Sequence, residues 1–133
     1  MCGTLRFRVG VLVILLACSV PAYSHHSFAQ MYFESESVTI DGDVVEFQYR
    51  APHAWLYVTV LDDQGRPQRY GAEWSNPTRL EREGVTGDTF QPGDRVSITG
   101  APGRDADARQ VHLKKVKRLS RGVWSWDGPQ RRR

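Results

Sequence analysis

The chain has 133 residues, 40% hydrophobic and 25% charged, which is enough for one small domain and too few for two. Its formal net charge is +3 and its two cysteines are Cys2 and Cys18. Both cysteines sit near the start, so a chain shortened past them has no thiol redox chemistry, no cysteine nucleophile and no cysteine-based zinc site.

Residues Met1 to Ser24 read as a secretory signal peptide. Arg6 and Arg8 form its basic start, Val9 to Ala17 its apolar run, and Ala22-Tyr23-Ser24 supplies small residues for cleavage. The apolar run falls short of the roughly 20 residues that span a bilayer. Cleavage after Ser24 is the first expectation, and a cut after Ala22 is one alternative. Another is a lipoprotein-type cut at Leu15-Leu16-Ala17-Cys18, which leaves the protein anchored through a lipidated Cys18. The expected location is periplasmic or secreted. The leader carries Arg6 and Arg8 and no acid, so its loss brings the charge close to neutral. Basic residues do not alternate with aromatics as a stacking platform for nucleic acid requires.

Beyond the leader, apolar residues recur with period two, the pattern of half-buried strands. Val38, Ile40, Val45, Phe47 and Tyr49 mark a long first strand. Gly42 and the phase change at Val44-Val45 predict a bulge or bend within it. Pro52 ends that strand. Leu56, Val58 and Val60 give a second, with Trp55, Tyr57 and Thr59 on its other face. Asp62-Asp63-Gln64-Gly65 is a hairpin turn, and Tyr70, Ala72 and Trp74 give a third strand. Ser75 or Asn76 then caps a short helix that begins near Pro77, buries Leu80 and ends at Gly84. Pro92-Gly93-Asp94 turns into a fourth strand with Val96 and Ile98. Pro102-Gly103-Arg104-Asp105 turns into a fifth with Val111, Leu113 and Val116, whose phase slips at Lys114-Lys115.

This order, β-β-β-α-β-β, predicts a mainly β fold: a small five-stranded OB-like barrel with one short helix, following the signal peptide. A small β-sandwich is the alternative. The layout is then a signal peptide at 1–24, the barrel domain at 25–122 and a basic tail at 123–133. Lys114, Lys115, Lys117, Arg118 and Arg121 read as a solvated face, with contact to anionic lipid or polysaccharide as the alternative. Two exposed indoles are a costly surface, so Trp124 and Trp126 are candidates to fold back onto the domain.

Several short pieces stand in a telling order: His25-His26-Ser27-Phe28 after the leader, Gly42-Asp43-Val44, Pro52-His53-Ala54, Leu80 with Gly84, Pro92-Gly93-Asp94-Arg95-Val96 and Gly100-Ala101-Pro102. Together they resemble the bacterial exported family of domain of unknown function 6152, from His25 to about Gly122. Two positions depart from its pattern: Ala51 stands where the family has Asn before Pro-His, and Val85 where it tends to have Trp. The resemblance implies an exported domain with no assigned activity.

The residues with chemistry to offer are histidines. Cleavage after Ser24 would make His25 the first residue, with a free α-amine, its imidazole and that of His26 close together. His53 sits at the corner after Pro52. Three nitrogen donors from such a set suit copper or another transition metal, so His25, His26 and His53 are the candidate metal ligands. Met31, Glu34 and Glu36 are possible additional donors. His112, between Val111 and Leu113, is expected at the surface. Asp41, Asp43 and Glu46 read as solvent-facing charges, and Asp62, Asp63, Asp105 and Asp107 as turn formers. No arrangement supplies a nucleophile, a base and an oxyanion site together, so no catalytic residue is assigned. A second reading uses aromatics: Trp55, Tyr57, Tyr70 and Trp74 could line one barrel face that docks a peptide, a glycan or an envelope protein. The first reading is an exported metal-binding protein and the second a non-metal binding module, with an enzyme third.

Overall fold

The computed structural model describes residues 27–129. The predicted signal peptide, Cys18, the pair His25-His26 and Arg131 to Arg133 lie outside the described residues. Among these residues the strands are β1 (Val38–Gln48), β2 (Trp55–Leu61), β3 (Pro67–Glu73), β4 (Arg95–Pro102), β5 (Gln110–Arg118) and β6 (Trp124–Trp126). A one-turn helix, α1, covers Phe28–Met31, a second short helix, α2, covers Pro77–Arg82, and a 3-10 turn covers Ala106–Ala108. The sheet order is β3-β2-β1-β4-β5-β6, and β3 also pairs with β5. That last pairing closes a five-stranded barrel, as the sequence order predicted.

Each predicted element has a visible local cause. The register of β1 against β2 shifts between Val44 and Glu46. Val45 is the residue turned out, while Val44 stays in the core. Gly42 lies just before this bend, where a Cβ would stand 2.6 Å from the Thr59 carbonyl oxygen. The β2–β3 turn is held by Asp62, whose carboxylate accepts from the Gln64 and Arg66 amides, both at 2.9 Å. At α2, the Asn76 side chain accepts from the Arg79 amide at 2.9 Å and Pro77 takes the first turn. Leu80 is buried, and Gly84 adopts φ +83° to leave the helix. The register of β4 against β5 slips between Thr99 and Gly100, which leaves Lys114 as the extra residue on β5. Here a Cβ on Gly100 would stand 2.5 Å from the His112 carbonyl oxygen.

The core is built from the inward residues of all five barrel strands, including Val44, Leu56, Val58, Ile98, Leu113 and Val116. Trp74, Leu80, Val85 and Phe90, from α2 and its flanks, cover one end of it. The predicted tail needs one correction. Trp124–Trp126 is a strand of the same sheet, antiparallel to β5 through Val116↔Trp126 and Arg118↔Trp124. The reason is burial of the indoles. Trp126 packs edge-on against Trp74 at 4.9 Å, and its Nε1 donates to Glu83 at 2.9 Å. The prediction of one short helix stands for α2, with α1 added ahead of the barrel.

One buried charge ties the turn before β4 to the turn after β5. Asp94 is 3% exposed and accepts from the Arg121 guanidinium through Nε at 2.6 Å and Nη2 at 2.5 Å. It also accepts from the Ser120 hydroxyl and the Gln91 amide, each at 2.9 Å. The Arg121 guanidinium holds the Asp94 carboxyl far below the usual carboxylate range, against the opposing effect of burial.

Three substitutions test this packing. Gly100→Ala should cost about 1–3 kcal/mol in urea unfolding, since backbone must move to admit the methyl. Gly87→Ala should be close to neutral, because its Cβ would make only ordinary contact, 3.6 Å from Tyr49. Asp94→Asn should cost about 2 kcal/mol at pH 7, the scale of a charge-assisted buried hydrogen bond. The folded Asp94 carboxyl is depressed, so its contribution is complete above the unfolded value of about 3.9 and lost as pH falls below it. The stability gap between wild type and Asp94→Asn should therefore shrink between pH 5 and pH 2; a gap independent of pH would count against this role.

Candidate functional site

The site begins with the segment that precedes the barrel. The Ser27 hydroxyl accepts from the Ala29 amide at 3.3 Å and starts α1. The segment is then clamped to the β4–β5 turn by main-chain bonds. Phe33 N donates to the Pro102 carbonyl and Arg104 N to the Met31 carbonyl, both at 2.9 Å. Tyr32 bridges Gly103 and is 1% exposed. A buried phenol needs a hydrogen-bond partner, and Tyr32 donates to Glu73 Oε2 at 2.5 Å. Burial, reinforced by the Glu73 carboxylate, pushes the Tyr32 hydroxyl well above its ordinary value, so it stays protonated as a donor.

Glu73 serves a second residue. Its other oxygen, Oε1, lies 2.6 Å from His53 Nδ1. A carboxylate oxygen accepts, so the proton sits on Nδ1 and Nε2 is left free for another partner. The His53 side chain is 36% exposed, while Glu73 is 14% exposed. The same arrangement recurs one strand away. In the parallel pairing of β3 with β5, Glu73 stands opposite His112. His112 Nδ1 lies 2.6 Å from Glu34 Oε1, and Lys114 Nζ donates to Glu34 Oε2 at 2.5 Å. Lys114 Nζ also stands 2.9 Å from His112 Nδ1. One proton on Nδ1 directed at Glu34 means that Lys114 acts there as a neighbouring charge and not as a donor to the ring.

Phe28 lies across both imidazoles. Its ring is parallel to His112 at 3.7 Å and close to parallel with His53 at 5.2 Å. Burial pushes the His112 imidazole below its ordinary value, and the Lys114 charge adds to this against the pull of Glu34. For Glu34 itself, burial acts upward, but the hydrogen bonds from Lys114 and His112 outweigh it and the carboxyl falls below its usual value. Phe28 and His53 border two concavities, one of about 430 Å³ reaching Trp74 and Trp126, the other of about 460 Å³ reaching Met31 and Trp55.

Of the predicted ligands, His53 is in this cluster, and His25 and His26 lie outside the described residues. Among the described residues no three His, Asp or Glu side chains are grouped so as to hold a metal ion by themselves. Glu34 belongs to the cluster, and Met31 borders the second concavity. Two expectations are corrected. His112 is not a surface residue: its side chain is 15% exposed, because the segment carrying Phe28 and Glu34 folds over the outer face of β5. The four aromatics also do not share a face. The β2–β3 register pairs Val58 with Tyr70 and Leu56 with Ala72 on the inside, and Tyr57 with Gly71 and Trp55 with Glu73 on the outside. Trp74 is thus a core residue and Tyr70 packs against the core, whereas Trp55 and Tyr57 stack on the outer face at 5.9 Å. Asp43 and Glu46 pair with Arg95 and Arg69 at the surface, as solvent-facing charges should. Sequence reasoning missed Phe28, Tyr32 and Glu73 as site residues. The sign available was the placement of Ser27-Phe28 directly after the histidine pair.

The model of a family of unknown function, DUF6152, matches residues 12–112, and the chain belongs to that family. No curated protein matches the chain. Among solved structures it is similar to the crystal structure of Rim1, a mitochondrial single-stranded DNA binding protein from S. cerevisiae. That likeness has a TM-score of 0.48 and 15% identity over 65% of this chain and 96% of the other.

Removing the ring of Phe28 tests the covering of His112. Burial is the main cause of the lowered value, so Phe28→Ala should raise the His112 titration midpoint toward about 6.5 in an NMR titration of the imidazole. A midpoint unmoved by the substitution would mean that Phe28 does not shield the ring. The folded imidazole takes up its proton less readily than the unfolded one. Its contribution to stability is therefore present above the unfolded value and lost on acidification below it.

Proposed function

We propose that this member of the DUF6152 family is an exported small barrel that binds a transition-metal ion, copper(II) in particular, through His53 with His25 and His26. The observation that supports this best is the His53 imidazole, tied to Glu73 through Nδ1 with Nε2 free. Metal-binding histidines characteristically donate their other ring nitrogen to a carboxylate, which fixes the tautomer and the ring orientation. The chain is also long enough to bring the histidine pair to this ring. His26 is two residues before Phe28, consecutive Cα atoms are about 3.8 Å apart, and the Phe28 ring already lies 5.2 Å from the His53 ring. A free amine with imidazoles gives a nitrogen-rich set of the kind copper(II) prefers. Export follows from the leader at 1–24, with the anchored form through Cys18 as the alternative.

A second reading keeps one specific observation. Trp55 and Tyr57 stack 12° from parallel on the outer face. They lie flat over Gly71, where a Cβ would be 3.2 Å from either ring. Such a platform suits the docking of a peptide, a glycan or an envelope protein on the barrel.

Calorimetric titration of copper(II) into the processed protein, with its first residue established by intact mass, separates the two. Binding should be one-to-one and should weaken at least about tenfold in His53→Ala. Glu73→Gln, which keeps the ring but loosens its orientation, should weaken it by about 10–100-fold at most. Weak binding that is equal in wild type and His53→Ala would overturn the metal reading and turn attention to Trp55 and Tyr57.

A further inference from the structure

The concavity of about 430 Å³ that His53 borders also reaches Trp74, Arg79 and Trp126, groups that the metal reading does not use. Trp74 forms part of its wall and is 1% exposed. The Trp74 Nε1 is buried and has no hydrogen-bond partner among the described residues. An indole nitrogen can only donate, and leaving such a donor buried and unpaired costs about 1–3 kcal/mol. Trp126 borders the same space, yet its Nε1 is satisfied by Glu83 at 2.9 Å. Of the two indoles at this space, the orphan is therefore that of Trp74, whose acceptor is not among the described residues.

The charges of the wall specify that acceptor. Arg79 and Lys114 border the space, and no carboxylate does. Their acidic partners, Glu83 and Glu34, stand outside the lining. Arg79 engages Glu83 through Nε at 3.3 Å, and its two terminal nitrogens have no partner among the described residues. The apolar part of the wall is largely aromatic, with Phe28, Leu113 and Trp126 beside Trp74, and His53, His112, Ser75 and Asn76 complete the lining with Pro129. The volume falls within the range of small-molecule sites, roughly 300–1,000 Å³.

We propose that this cavity binds a small aromatic carboxylate, its ring against Phe28 and Trp126 and its carboxylate accepting from the Trp74 indole and facing Arg79 and Lys114. The Arg79 fork suits a carboxylate geometrically, and the aromatic walls favour a flat apolar body. The site needs neither His25 nor His26; His53 borders it, so the test is run without metal to keep the two readings distinguishable.

The test uses the full processed chain in excess EDTA, with benzoate and 3-phenylpropanoate as probes and benzamide as the neutral control. Binding is read from the indole N–H resonances in 15N–1H spectra. A carboxylate probe should shift the Trp74 indole proton saturably, with benzamide at least tenfold weaker. Arg79→Gln should weaken the carboxylate at least tenfold, whereas Lys117→Gln, an exposed residue away from the cavity, should leave it unchanged. Equal thermal midpoints would show that both variants fold. The proposal is overturned if no probe gives a saturable shift, the result expected if the indole meets a buried water only. Equal binding of benzoate and benzamide, or insensitivity to Arg79→Gln, would also overturn it.

Discussion

The three-residue parallel seam between β3 and β5 is the constraint on which the rest depends. It pairs Gly71 with Gln110, Ala72 with Val111 and Glu73 with His112. By closing the barrel it covers the end of the β3 edge that an open sheet of this order would expose, and leaves β6 as a short edge strand beside β5. It also sets the end of β3 beside the start of β5 and so brings an acid and an imidazole from distant parts of the chain to one outer surface. The bulge at Lys114 and the close approach at Gly100 let β5 bend enough to reach that seam while it stays paired with β4.

The segment before the barrel completes the surface, and its chemistry is one of satisfying buried groups. Tyr32 is buried and must place its hydroxyl; Glu73 is the acceptor. With one oxygen taken by Tyr32, Glu73 gives the other to His53. Glu34 does the same for His112 and Lys114. A carboxylate beside each imidazole directs the Nδ1 proton and frees Nε2, and Phe28 limits the access of water to both rings. Such a network is worth most when every member is paired. The Trp74 indole, a buried donor with no partner among the described residues, therefore stands out.

Local features were legible in the sequence because local chemistry causes them. Alternation named the strands, and the slips at Val44-Val45 and Lys114-Lys115 marked real irregularities of register. Asn76, Pro77 and Gly84 carried the limits of α2. The site was less legible, because it is made by long-range contact. Tyr32 and Glu73 are 41 residues apart, and nothing in the periodicity around either one points to the other. His112 reads as a surface residue from its strand alone, since alternation gives the side of the sheet and not what lies on top of it. The same limit separated Trp55 from Trp74. Both alternate correctly, but the register between β2 and β3 decides that one faces out and the other in. Trp124 and Trp126 looked like a tail because a three-residue strand has too few positions to show a period.

The imidazole tautomers are the most direct observable of this arrangement. Long-range 15N–1H correlation of His53 and His112, recorded above about pH 8, reports which ring nitrogen carries the proton in each neutral imidazole. The carboxylate contacts at 2.6 Å require the Nδ1–H form for both rings, with Nε2 unprotonated. Finding the proton on Nε2 of His53 would remove the free donor on which the metal reading rests and break the link from Glu73 to the corner.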